Sequence, residues 1–217
     1  MNLEAARAQM LGQQIRAWEV LDDRVLEAIA QTPRERFVPE DYRDLAFADT
    51  EIPLAHGQAM LAPKIEGRLL QALQVEPSDE VLEIGTGTGF LTACLAQLAQ
   101  RVGSVDIFPE FASSARRNLA AAGLLGNVEL ETADALQLDL PGRFDAIAVT
   151  GSMPSLEDRF VRMLRPGGRL FVVVGRAPVM EARLITLLPT GGTTSQSLFE
   201  TVLSPLINAE RPEPFVL

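Results

Sequence analysis

Apolar positions divide the chain into two regimes. Over residues 1–80 they recur at helical spacing or at none, and over residues 80–170 they gather into short runs separated by helical stretches. From Leu3 to Val20, the positions Leu3, Ala6, Met10, Ile15 and Trp18 fall loosely on one helical stripe. A second helix is predicted over Asp23–Gln31, with Asp22 as its N-cap and Val25, Leu26 and Ile29 on one face. Pro33 stops it, and PRERFVPEDYRD reads as extended or turn-rich chain. Residues 44–63 keep no period yet are too apolar for a linker, and a long ordered loop of that sort is often functional. Helix returns over Ile65–Leu73, before a turn at Pro77-Ser78.

Beyond this point EVLEIGT, RVGSVDIF, NVELETAD and FDAIAVTG read as strands. Helices are predicted at Phe90–Gln100 and Glu110–Ala122, the second stopped by Gly123. SLEDRFVRMLRPGG reads as an amphipathic helix with a Pro-Gly-Gly stop, leading into the strand RLFVVVG. Residues 181–188 and 198–206 are expected to close the fold as an antiparallel hairpin across Gly191-Gly192. Repeated β-α-β units with apolar strands mean an α/β fold, a doubly wound and mainly parallel sheet with helices on both faces. The expected organisation is an N-terminal helical and loop extension over residues 1–76, covering the active site, on one compact core over residues 77–217.

Composition sets outer bounds. With 217 residues, 47% of them apolar, the chain is long enough for a sizeable core and is not of the disordered class. It contains no apolar run of membrane-spanning length, and MNLEAARAQM lacks the apolar stretch of a secretory signal. A net charge of −10, with lysines and arginines scattered, argues against a nucleic-acid partner. One cysteine and one histidine support neither an internal disulfide nor a zinc cluster. The expectation is a cytoplasmic monomer that holds no metal and has no membrane partner.

The candidate chemistry lies at VLEIGTGTGF, where an apolar strand runs into Gly85, Gly87 and Gly89 and a helix starts at once. Glycines there let a ligand lie against bare backbone near a helix N-terminus, and Asp106, ending the next strand, is placed for a ribose diol. Dinucleotide binders usually show G-x-G-x-x-G, whereas this chain has G-x-G-x-G with Glu83 two positions upstream. A carboxylate there disfavours a pyrophosphate, and with it a nicotinamide oxidoreductase, and suits a cationic ligand. Among other candidates, His56 is either a packing residue or a substrate contact, and Asp49 either binds a substrate amide or caps its loop. Thr150, Gly151 and Ser152 stand at the carboxyl edge of a strand, where ligands of such sheets bind. Cys94 and Trp18 read as packing residues, and Arg34 and Arg36 as surface charges or salt-bridge partners.

E-x-G-x-G-x-G resembles motif I of the Rossmann-like S-adenosylmethionine-dependent methyltransferases. The stations after it agree: Asp106, Ala133-Asp134-Ala135, Asp145 and Pro166-Gly167-Gly168. That resemblance implies S-adenosylmethionine as cofactor. Gly85, Thr86, Gly87, Thr88 and Gly89 would face its methionine portion with Glu83, Asp106 would hold the ribose, Ile107 would pack on the adenine, and Asp134-Ala135 would approach the adenine amino group. PRERFVP, DTEIPLAHGQAMLAP, Pro154 and Ser204-Pro205-Leu206, taken with motif I, resemble the protein-L-isoaspartate O-methyltransferase family over residues 5–207. The resemblance implies methyl esterification of isoaspartyl carboxylates in damaged proteins or peptides, with His56, Gln58, Asp49 and Thr150 as candidate substrate contacts and backbone from 58 to 61, Met60 included, beside the cofactor. The pattern also departs from the family. Ala59-Met60-Leu61 stands where the family has Thr-Ile-Ser, so Leu61 occupies the position of the active-site serine, and Ala55, Val173 and Ile207 replace a glycine, a proline and a threonine. The departures leave two alternatives open: another methyl acceptor, or a cofactor-binding protein without catalysis.

Overall fold

The computed structural model describes residues 2–209. Helix α1 (Leu3–Gln9) is capped by the Asn2 side chain, then widens into a π-type stretch at Met10–Ile15 and tightens again at Arg16–Trp18. The single helix expected to Val20 is therefore interrupted, around a glycine (Gly12) that favours helix poorly. Helix α2 (Asp23–Gln31) starts as predicted, with the Asp22 carboxylate accepting from Arg24 N, and buries Val25, Leu26, Ala28 and Ile29. The segment after Pro33, expected to be extended or turn-rich, takes the turn-rich form, wound into two tight helical turns at Arg34–Arg36 and Glu40–Leu45. Strands β1 (Ile52–Pro53) and β2 (Ala59–Met60) pair antiparallel and give the long apolar loop its order. Helix α3 (Pro63–Leu73) follows.

The cause of the tight winding after Pro33 is Arg34. Of the two expectations for it, surface charge or salt-bridge partner, the second holds: it is only 1% exposed and its charge is met inside the protein. Its guanidinium forms an ion pair with Glu66 of α3 and donates to the carbonyls of Ala46 (2.9 Å) and Leu61 (2.7 Å). The group lies 4.5 Å from the centre of the Phe90 ring. One side chain thus ties together three separate stretches of the extension and the first turn of the helix after the glycines. Arg36 remains exposed.

Strands β3 (Glu80–Ile84), β4 (Arg101–Asp106), β5 (Val128–Thr132), β6 (Phe144–Met153), β7 (Leu164–Arg176), β8 (Val179–Leu187) and β9 (Thr193–Glu200) form one sheet in the order β5-β4-β3-β6-β7-β8-β9. The first five pair parallel and the last two antiparallel. Helices α4 (Phe90–Leu98), α5 (Pro109–Ala122, ended by Gly123 at φ 73°) and α6 (Asp158–Arg162) connect them. Successive strand residues alternate between two cores, as the pleat requires. Val81, Ala146, Ala148, Phe171 and Val173 face the cluster that also holds Ile15, Ile29, Phe37 and Leu69 of the extension. Leu82, Ile147, Val149, Leu170 and Val172 face the opposite cluster with Phe160 of α6.

Two predictions shift. Helix α6 ends early because Gly142 N and Phe144 N bond to the Arg162 and Met163 carbonyls, drawing the chain into β7, so Pro166-Gly167-Gly168 falls inside a strand. The last strand lies at Thr193–Glu200, and residues 201–206 leave the sheet edge. Ser152 pulls them back across the carboxyl end of β6: its N bonds to Ser204 O, its carbonyl accepts from Leu206 N and its Oγ donates to Leu203 O. Cys94 is fully buried, as expected, and Trp18 packs edge-on against Phe199. Among the described residues no helix is long and apolar enough to cross a membrane.

Replacing Arg34 by Met should lower stability by about 3–5 kcal/mol, because the Glu66 carboxylate is left buried without its partner. The double change Arg34→Met with Glu66→Leu should recover most of that loss. Urea denaturation midpoints of the two variants check both statements.

Candidate functional site

The chain runs β3, β4, β5 outward on one side of β3 and then returns to β6 on the other, so the strand order reverses between β3 and β6. In open α/β sheets ligands bind at the carboxyl ends beside such a reversal. Here that edge is the glycine turn. Gly85, Gly87 and Gly89 all have positive φ (94°, 51° and 86°), and α4 begins directly after them. A Cβ on Gly85 would collide with Thr150 Oγ1, so this position admits no side chain. The turn is held from outside: Gly87 N donates to Asp106 Oδ2 (3.0 Å), and Thr150 Oγ1 donates to the carbonyls of Ile84 and Gly85 (both 2.9 Å). Asp106 also accepts from Phe108 N at 3.0 Å. Burial raises its carboxyl above the ordinary range, against the lowering effect of these backbone amides.

A cleft of about 780 Å³, counting its open mouth, lies over this edge. The sheet side supplies Gly85, Gly87, Asp106, Ile107, Phe108, Ala135 and Leu136. The β1–β2 loop supplies Glu51, Leu54, Gln58, Ala59 and Leu61, and the returning C-terminal segment supplies Leu203, Ser204, Leu206 and Ile207. Thr150 closes the floor.

Of the residues singled out from sequence, the cleft gathers Gly85, Gly87, Asp106, Ile107, Ala133, Ala135, Gln58, Ala59, Leu61, Thr150, Gly151, Ser204, Leu206 and Ile207. The others lie off its lining, each for a visible reason. Thr86 is buried with its hydroxyl 2.6 Å from Ser104 Oγ, and Gly89 is pressed against Ala115. Thr88 lies in a neighbouring groove with Arg36 and Asn118. Met60 is buried opposite Ile52. Asp134 caps the turn at Ala135–Gln137 and accepts from Asn208 Nδ2 at 3.0 Å. Asp49 is paired with Lys64 at 2.8 Å. His56, at φ 59°, stacks flat on Phe108 with ring centres 4.0 Å apart. Ser152 spends its hydroxyl on the Leu203 carbonyl.

Glu83 departs most from its expected role. It is fully buried under the turn, where Thr92 Oγ1 and Ser104 Oγ both donate to Oε2 while Oε1 has no partner. Burial pushes its carboxyl up to about 8. Glu51, Leu54, Phe108, Leu136 and Leu203 line the cleft and were not singled out. Phe108 could have been found as the second residue past Asp106, and Glu51 and Leu54 stand inside DTEIPLAHGQAMLAP, but Leu136 and Leu203 carry no local motif.

Residues 5–207 match the family model of protein-L-isoaspartate(D-aspartate) O-methyltransferase, PCMT. The chain belongs to that family. A protein-L-isoaspartate O-methyltransferase of Aeropyrum pernix is 36% identical over 93% of this chain and 79% of its own. One of Myxococcus xanthus is 39% identical over 86% of this chain and 82% of its own. In fold, the chain is similar to a Plasmodium falciparum protein assigned to the same enzyme class and solved with S-adenosyl-L-homocysteine, at a TM-score of 0.81 and 20% identity over 95% of this chain and 98% of that one. In this protein-L-isoaspartate O-methyltransferase relative, the loop side of the cleft offers the Gln58 amide but no hydroxyl, and the Leu61 carbonyl is taken by Arg34.

The buried Glu83 predicts a pH signature. Its ordinary value is 4.5 and its folded value about 8, so between these the folded chain holds a proton that the unfolded chain has released. Stability must then fall as pH rises through that window, by at most about 1.4 kcal/mol per pH unit for one group. In Glu83→Gln this part of the decline should be missing, as read from urea midpoints at pH 5, 6.5 and 8.

Proposed function

We propose that this chain is an S-adenosylmethionine-dependent methyltransferase that esterifies the free α-carboxylate of isoaspartyl residues in proteins or peptides, the first step of their repair. The observation that carries the reading is the side-chain-free turn at Gly85 and Gly87 beside the anchored Asp106, opening into a cleft that the β1–β2 loop covers. The residues fit the cofactor: a Cβ is excluded at Gly85, the carboxylate at Asp106 suits a ribose diol, and Ile107, Ala135 and Leu136 give an apolar slot for an aromatic base. Bound there, S-adenosylmethionine supplies a methyl group activated by a sulfonium. Met60, Thr86, Thr88, Gly89, Glu83 and Asp134 support this site from behind or beside its lining.

The acceptor needs little from the protein. An isoaspartyl carboxylate is already ionised at neutral pH, so no general base is required, and the task is alignment and exclusion of water. The extension over residues 1–76 acts as the cover and residues 77–217 as the cofactor core. Gln58 and main-chain amides of the loop replace the hydroxyl absent at Leu61 as grips on the carboxylate. The chain works as a cytoplasmic monomer without nucleic-acid or membrane partners, in keeping with its net charge of −10. A second reading, a less polar acceptor, is favoured by one observation: Ala59 and Leu61 present hydrocarbon where the acceptor must approach.

Release of S-adenosylhomocysteine, measured with an isoaspartyl peptide and its aspartyl twin, separates the readings. Turnover on the isoaspartyl peptide alone supports the first, and cofactor binding without turnover moves the search to another acceptor. Gly87→Val places a branched side chain at φ 51°, facing Leu54 Cδ1, which lies 3.6 Å from a Cβ built at that position. Calorimetry should show no binding of S-adenosylhomocysteine to this variant, and unchanged affinity would overturn the cofactor assignment.

A further inference from the structure

The loop side of the cleft carries a carboxylate that the reaction as described does not use. Glu51 lies just before β1 and faces the cleft with Leu54, Gln58, Ala59 and Leu61. Among the described residues the lining holds two ionisable side chains, Glu51 and Asp106, and no lysine, arginine or histidine. Asp106 is met by the amides of Gly87 and Phe108. The charged groups near Glu51 along its loop are already engaged: Asp49 pairs with Lys64, and His56 stacks on Phe108 with Nε2 3.8 Å from Glu110. The Glu51 carboxylate makes no hydrogen bond or ion pair among the described residues. Burial raises its pKa, with no cation to oppose the effect.

We propose that Glu51 determines substrate specificity: it selects isoaspartyl substrates that carry a positive charge beside the isoaspartyl residue and discriminates against those flanked by acid. The inference rests on the isoaspartyl reading above. An isoaspartyl carboxylate entering the cleft brings a second negative charge to the side where Glu51 stands, and like charges in a partly desolvated cleft repel. A lysine, an arginine or a free amino terminus next to the isoaspartyl residue neutralises that repulsion and pairs with Glu51. An acidic neighbour adds to the repulsion. The S-adenosylmethionine sulfonium offsets part of it from the other side, which leaves Glu51 to act on the flanking residue.

The test uses two isoaspartyl peptides identical except for the residue after isoaspartate, Lys in one and Glu in the other. Two quantities are measured for wild type and Glu51→Gln: kcat/KM from S-adenosylhomocysteine release, and peptide Kd on the S-adenosylhomocysteine-bound protein. S-adenosylhomocysteine affinity checks that the variant's cleft is intact. Wild type is expected to favour the Lys peptide by roughly tenfold at low salt, with the ratio shrinking as added salt screens the charges. In Glu51→Gln the ratio should approach one, mainly through faster turnover of the Glu peptide. Equal kcat/KM for both peptides in wild type, or an unchanged ratio in Glu51→Gln, overturns the inference while leaving the isoaspartyl reaction standing. A Glu51-dependent difference in Kd without turnover supports the charge selection and overturns the reaction. Neither binding nor turnover overturns both.

Discussion

Among the described residues Arg34 is the largest fully buried side chain, and its charge has to be answered inside the protein. It is answered four ways: by the Glu66 carboxylate, by the Ala46 and Leu61 carbonyls and by the face of Phe90. A buried guanidinium with that many fixed partners leaves the segments around it little freedom, because moving any one of them strands a charge or a carbonyl. Leu61 is both a partner of Arg34 and a wall of the cleft, so the acceptor side of the site takes its position from a charge on the other side of the loop. Phe90 opens α4, which brings the same anchor to the end of the glycine turn.

The two sides of the cleft are therefore built on different principles. The sheet side is a backbone construction: amides and carbonyls of the turn are held by Asp106 and Thr150, and the Asp106 carboxylate, with two backbone donors, faces the cleft. Such a surface tolerates little movement and suits a ligand that is always the same. The loop side is made of short strands, a tight turn and mostly apolar side chains, with Glu51 and Gln58 as its polar groups. A surface of that kind suits acceptors that share one functional group and differ around it.

What could be read from sequence was what is local. Asp22 capping α2, Gly123 ending α5 and the alternation of β6 and β7 each follow from a few adjacent residues, and the glycine turn carries its own strand and helix. What could not be read depends on partners far along the chain. Arginine is normally a surface residue, and nothing near Arg34 announces that Ala46, Leu61 and Glu66 converge on it. Residues 201–206 have the composition of a strand, but three bonds to Ser152 take them elsewhere. His56 stands in a motif that points to the site, yet an aromatic neighbour from after β4 holds its ring flat. Glu83 is the residue type that suits a cationic ligand, but it lies buried under the turn, where it keeps a proton and accepts from two hydroxyls.

The route of residues 201–207 has a consequence for how the protein becomes competent. This segment is translated after every strand of the sheet, and it forms one wall of the cleft by crossing over Ser152. Five parallel strands, the glycine turn and the Arg34 anchor can all assemble on a ribosome before it emerges. A nascent chain at that stage has its scaffold and an open-sided cleft, so this segment decides when ligands are first enclosed. Biosynthesis thereby orders folding ahead of binding, and a product truncated near residue 200 would keep the architecture while lacking the enclosure.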